Sequence, residues 1–265
     1  MLEPERGSRE APRARRRAIC FAHAGTTAAL ALLLGLLAVL CSGCETTAEK
    51  SAKLEKAAKR HTLATEQGLT IVHTSTLVKV LETAFVHGRE GSAAIVTLRN
   101  SSAHALRDVP ISLSLKDAHD KTVYSNGTPG LAKTLTSIAL LPAHGKLTWI
   151  DDQIQGVSAA RVTARVGEGS PASGSTPRMN VAETHLASEA SGSSTLEGTV
   201  RNPTATAQPE LVIDAVARRS GHVVAAGRAV LASLETGAST PFEVFFVGSA
   251  TGAQLEVSAP ATATG

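Results

Sequence analysis

Past residue 67, apolar and polar positions along this chain alternate with a period of two. In "AAIVTLRN", Ala94, Val96 and Leu98 fall on one face, and Thr97 and Arg99 on the other. "VPISLSLKD" repeats the pattern, with Val109, Ile111, Leu113 and Leu115 set against Ser112, Ser114 and Lys116. Successive side chains of a strand point to opposite faces, so this pattern predicts half-buried strands. "LTWIDDQI" and "ARVTARV" continue the series. Turn-forming residues at 100–102, 116–121 and 142–145 interrupt it. Short strands about ten residues apart, with no helical stretch between them, predict an all-β chain of the β-sandwich class.

The pattern occurs twice. "TLRNSSAHALRDVPISLSLKD" from Thr97 aligns without gaps to "TVRNPTATAQPELVIDAVARR" from Thr199. The inward positions Val109, Ile111, Leu113 and Leu115 fall on Leu211, Ile213, Ala215 and Ala217. Later, "LLPAHGKLTW" resembles "ASLETGASTPF", where Trp149 meets Phe242. Such self-similarity predicts duplication. Between the copies, residues 167–178, "GEGSPASGSTPR", read as a flexible linker. The expected layout is a sandwich over 68–166, a second over 179–260, and a disordered tail over 261–265.

The first 67 residues follow other rules. "RARRRAICFAHAG" is basic, and "TTAALALLLGLLAVL" is apolar from Ala28 to Leu40. Small residues then lead into Cys44. Basic, apolar, then small is the order of an export signal, here residues 1–43. From Ala18 to Gly43 only His23 breaks the run of apolar and small residues. That stretch would also suffice as an uncleaved anchor, since a spanning helix needs about 20 residues. Both readings place the body outside the cytoplasm. Arg16-Arg17 also faintly resembles a twin-arginine signal. Cys41-Ser42-Gly43-Cys44 has the C-x-x-C spacing of redox sites, but a thiol activated in that way sits at a helix N-terminus after a strand. Here it follows a membrane-type segment. Residues 44–67 are rich in Ala, Lys and Glu, with Glu45 and Glu49 early and Lys56, Lys59 and Arg60 late. That polarity suits a helix dipole, though isolated helices of this length are marginal in water. The segment reads as a solvated, partly helical tether.

The composition narrows the function. Hydrophobic residues make up 43% of the 265 and aromatics 3%, so the core must be aliphatic. The three cysteines, Cys20, Cys41 and Cys44, all lie at the start, so the body has no disulfide. The net charge of +3 comes from six Arg against three Glu within residues 1–43, and the remainder is neutral. Duplex-binding proteins need clustered Lys and Arg, so nucleic acid is set aside.

Catalytic patterns are absent from the sequence. Eight histidines follow the signal without H-x-x-x-H spacing, and His104, His119 and His144 fall in expected loops. No G-x-S-x-G occurs, and Gly145-Lys146 lacks the remainder of a phosphate loop. Asp151 and Asp152, as strand neighbours, point to opposite faces and read as solvated strand-end charges. Asp117 and Asp120 read as turn formers, and Trp149 as core. Asn126-Gly127-Thr128 fits a glycosylation pattern. No catalytic, cofactor-binding or metal-binding residue is assigned, and the chain is expected not to be an enzyme.

Two resemblances follow from these residues. Ser42-Gly43-Cys44 resembles the lipobox of bacterial lipoproteins, with Cys41 standing where Leu is usual. The resemblance implies that Cys44 is alkylated with diacylglycerol and becomes the first residue after cleavage. It would anchor the protein in the cell membrane or outer membrane. The "LRN" strand, the "L-x-L-x-D" strand, "V-V", then "L-x-P-x-G" and an aromatic strand are together similar to the FxLYD domain. Leu113-Ser114-Leu115-Lys116-Asp117 stands at the naming motif, with Leu for Phe and Lys for Tyr. That family comprises Ig-like sandwiches in secreted and lipid-anchored bacterial proteins. The implied architecture is two tandem Ig-like β-sandwiches, acting as a non-catalytic binding or envelope-structural module. An uncleaved membrane protein and a carbohydrate or peptide binder are the alternatives.

Overall fold

The computed structural model describes residues 68–188 and 193–265. The expected signal segment, Cys44 and the tether lie outside these residues. The described chain is all-β, built of antiparallel sheets with one 3-10 turn, Lys133–Leu135. Among the described residues no helix is long and apolar enough to cross a membrane.

The first half contains β1 (Val78–Gly88), β2 (Gly91–Asn100), β3 (Leu106–Lys116), β4 (Thr122–Ser125), β5 (Ser137–Leu141), β6 (Lys146–Ile154), β7 (Arg161–Val166) and β8 (Ser170–Pro171). One sheet runs β1-β2-β6. In the other, β3 pairs with β4, β5, β7 and β8. Between the sheets lies an aliphatic cluster that includes Val96, Leu98, Val109, Ile111, Leu113, Leu115 and Trp149. The period-two positions of β3 therefore face inward as expected.

The second half contains β9 (Asn180–Ser188), β10 (Ser194–Arg201), β11 (Gln208–Arg219), β12 (His222–Leu234), β13 (Ser239–Phe245), β14 (Val247–Gly248) and β15 (Gln254–Ser258). Its sheets are β13-β10-β9 and β14-β12-β11-β15. The strand order of the first half thus recurs, with β12 uninterrupted where the first half has β4, a loop and β5. Register recurs too: Trp149 is opposite Val96, and Phe242 is opposite Gly198. Gly198 is needed there, because a Cβ would lie 2.8 Å from the Phe242 ring.

A buried asparagine closes each half in the same way. Asn100 Nδ2 donates to the carbonyls of His104 and Pro142, while its Oδ1 accepts from Ser102 N and Oγ. Asn202 Nδ2 donates to the carbonyls of Thr206 and Leu234, and its Oδ1 accepts from Thr204 N and Oγ1. Each side chain satisfies backbone groups that the strand ladders leave over. The shared "RN" of the two aligned segments is this device.

The halves meet through a third apolar cluster. Val86, Ala93, Ile95 and Ile150, on the outer face of the β1-β2-β6 sheet, pack on Val216, Ala226 and Val247. β2 is consequently buried on both faces, and Thr97, expected to face outward, is buried as well. Burying a side chain such as Ile95 stabilises by about 1.5–3 kcal/mol. At the equivalent pair of the second half, Glu197 and Glu243 stand opposite each other where the first half has Ile95 and Ile150. The second half therefore presents an acidic face where the first presents an apolar one.

Residues 167–172 run against the first half, and Arg178 bridges Pro260 of the second. Gly167 N donates to Pro110 O, Ser170 and Pro171 form β8, and Ala172 N donates to Ala105 O. Residues 261–265, read as a disordered tail, are also held. Thr262 N and Ala263 N donate to Gln208 Oε1, and Gly265 N donates to Ser175 O. Polar, small-residue composition is a sign of flexibility only where no neighbour supplies backbone partners, and here the junction supplies them.

Asn100→Ala and Asn202→Ala each remove a buried amide and leave carbonyls unpaired. Each is expected to lower unfolding free energy by about 2–3 kcal/mol in urea titrations. The two losses are expected to be similar, because the networks are alike.

Candidate functional site

The junction concentrates buried charge. β6 carries Asp151 and Asp152, of which Asp151 is buried and Asp152 half-buried, contrary to the expectation of solvated strand-end charges. The two residues do point in different directions, as the pleat requires. Asp151 points toward β4, where Tyr124 Oη donates to its Oδ2 at 2.6 Å. Asp152 points toward the second half, where its Oδ2 accepts from Arg228 N at 2.9 Å. Sequence reasoning missed this because the partners are remote: Tyr124 lies 27 positions before Asp151, and Arg228 lies 76 positions after Asp152.

Arg228, on β12, is the one buried Lys or Arg among the described residues. Its guanidinium donates to Thr134 O, Thr134 Oγ1 and Ile150 O, and its Nε lies 4.0 Å from Asp152 Oδ1. Thr134 O also accepts from Trp149 Nε1. The insertion between β4 and β5 thus binds the second half to the first. At the other end of the junction, Arg218 grips both oxygens of Glu82 at 2.8 and 2.9 Å. That hydrogen-bonded pair holds the Glu82 carboxyl below its usual range.

Asp214, on β11, is the third carboxyl of this region. It is 4% exposed, and its Oδ1 has no hydrogen-bond partner. Burial pushes its pKa up to about 8, against the opposing pull of Arg228. Burial also raises Asp151 and Asp152, with Tyr124 opposing in the first case and Arg228 in the second. Tyr124 is itself pushed upward by burial and by its bond to Asp151. One cation therefore serves three carboxyls.

Beside Asp214 a cleft of about 680 Å³ opens between the halves. Its walls include Ile138, Leu140, Leu147, Trp149 and Val212, and residues 260–264 close one side. The rim holds Arg107, Asp108, Lys133 and Glu210, with Lys133 paired to Asp108. Asp108 and Glu210 are repeat-equivalent, and both adopt the left-handed region, at φ 52° and 45°. Non-glycine residues seldom adopt that conformation. Each lies within its strand, β3 or β11, at the cleft edge.

The other residues singled out from sequence lie elsewhere. Asp117 caps its turn, with Oδ1 accepting from His119 N and Lys121 N, and Asp120 completes the turn at φ 64°. Trp149 is core, as expected, though its edge also lines the cleft. Asn126 is buried, and its Nδ2 donates to Ile111 O and Leu135 O. Both amide hydrogens are engaged, so folded chain offers no site for a glycan there. Among the described residues no group of three or more His, Asp or Glu is placed to hold a metal.

No protein-family model matches this chain, and no curated protein sequence is similar to it.

Asp214 sets a pH dependence of stability. Unfolded, it ionises above about pH 4, while folded it keeps its proton until about pH 8. Between these values the unfolded chain binds fewer protons, so stability falls as pH rises, by about 1.4 kcal/mol per unit. Asp214→Asn is expected to be more stable than wild type at pH 7 and to show a shallower decline between pH 5 and 7 in urea titrations. Arg228→Met keeps the backbone N–H to Asp152 but leaves Thr134 O, Thr134 Oγ1 and Ile150 O without the guanidinium, and is expected to cost about 1–3 kcal/mol, read in the same titrations.

Proposed function

We propose that this chain is a lipid-anchored bacterial envelope protein that displays two FxLYD-like, Ig-like sandwiches as a non-catalytic binding or structural module. In this reading residues 1–43 are removed on export and Cys44 carries the lipid. Residues 44–67 are the tether, and the sandwiches span 68–166 and 179–260. A diacylglyceryl chain pair holds a protein at a membrane stably, where a single chain does so only marginally.

The observation that carries the reading is the doubled strand order with an asparagine network in each copy, Asn100 and Asn202. Repetition of this kind supports a duplicated β-sandwich, the architecture implied by the resemblance. The apolar junction and the Arg218–Glu82 pair support a rigid doublet in place of two loosely strung domains. A rigid doublet suits presentation of a fixed surface at a distance from the membrane. The cleft beside Asp214 favours binding over a purely structural role.

Expression in a bacterial host, followed by mass spectrometry of the purified chain, tests the anchor. The expected species begins at Cys44 and carries the diacylglycerol mass. Cys44→Ala, or globomycin treatment, is expected to leave residues 1–43 attached. A wild-type chain that keeps them, with Cys44 bare, would instead be the uncleaved membrane protein.

A further inference from the structure

We propose that the cleft between the two halves binds a primary amine with an apolar body, its ammonium group on Asp214 and its hydrocarbon against Leu140, Leu147 and Trp149. This deepens the binding reading above and rests on it.

Two buried polar atoms lacking hydrogen-bond partners belong to residues that line this one cleft, Asp214 Oδ1 and Thr262 Oγ1. Buried polar atoms are nearly always paired, and those that are not mark a missing partner. A carboxylate accepts hydrogen bonds and a hydroxyl can accept them, so an ammonium group, with three donors and no acceptor, complements both.

The charge balance selects a cation. Asp214 is faced by Arg228 from β12 and by Asp152 from β6. The Arg228 guanidinium already serves Thr134, Ile150 and Asp152. It leaves Asp214 without a hydrogen bond. At the rim, Lys133 is paired with Asp108, and Arg107 and Glu210 are exposed to solvent. Asp214 is thus the one buried carboxyl of the cleft, and the apolar wall beside it favours a hydrocarbon body over a polyamine.

Binding carries a proton balance. Without ligand, burial keeps Asp214 protonated up to about pH 8. An arriving ammonium ion pairs with the carboxylate, so the carboxyl proton passes to buffer while the amine keeps its own three. Close to one proton is released per ligand bound at pH 7.

Trp149 is the only tryptophan of the chain and lines the cleft, so its fluorescence reports occupancy. The test titrates the full-length protein, in detergent, with n-hexylamine and separately with n-hexanol. Calorimetry in buffers of differing ionisation enthalpy counts the protons. The expected result is a saturable Trp149 response to hexylamine, release of close to one proton, and binding at least tenfold weaker for hexanol. Asp214→Asn, expected to fold at least as well as wild type, should weaken hexylamine binding at least tenfold. Equal binding of amine and alcohol, unchanged binding by Asp214→Asn, absence of proton release, or no saturable response would each overturn the proposal. None of these outcomes touches the mass of the processed N-terminus, which judges the anchored-module reading separately.

Discussion

Arg228 has to be satisfied where no water reaches it, and the junction is built around that requirement. A buried guanidinium carries five donors and a full charge, and an uncompensated one would oppose folding by several kcal/mol. Its partners come from the other half of the chain: the Thr134 carbonyl and hydroxyl, the Ile150 carbonyl, and Asp152. The loop between β4 and β5, an interruption that the second half lacks, supplies Thr134. The apolar cluster of Ile95, Ile150, Val216 and Val247 supplies the non-directional attraction. Arg228 and Arg218 supply the register, since hydrogen bonds tolerate only one alignment of the two halves.

The strand order recurs in the two halves, and their differences set how they assemble. Both halves keep the buried asparagine, the inward strand positions and a left-handed residue at Asp108 or Glu210. They differ on the outer face of the three-stranded sheet. Ile95 and Ile150 make that face a docking surface in the first half, whereas Glu197 and Glu243 make it acidic in the second. His185 pairs with Glu197 there, and both remain exposed. A third copy docking in the same way would bury these carboxylates without cations.

Polar groups at the junction are treated unequally. Asp151 receives a hydroxyl and a backbone N–H, and Asp152 faces Arg228. Asp214 receives neither, and it holds its proton instead. The two halves touch through β12, β2 and β6, and the cleft opens beside that contact, with Asp108 and Glu210 among its lining. The site thus lies where two similar sandwich-like units meet.

The sequence by itself determined the strands, their inward faces and the role of Trp149. These follow from local alternation and from spacing within one copy, which any strand of that pattern must obey. It also marked Asp117 and Asp120 as turn formers, because an Asx side chain caps the backbone two residues on. Only the tertiary structure decided the fate of Asp151, Asp152, Asn126 and the segment 261–265. Each reads as polar and exposed, yet each is covered or held by residues remote in sequence. Ile95 and Ala93 carried the one local sign of this, as apolar side chains on a face otherwise read as polar. Burial of a polar group depends on what another part of the chain brings to it, and periodicity within a strand carries no information about that partner.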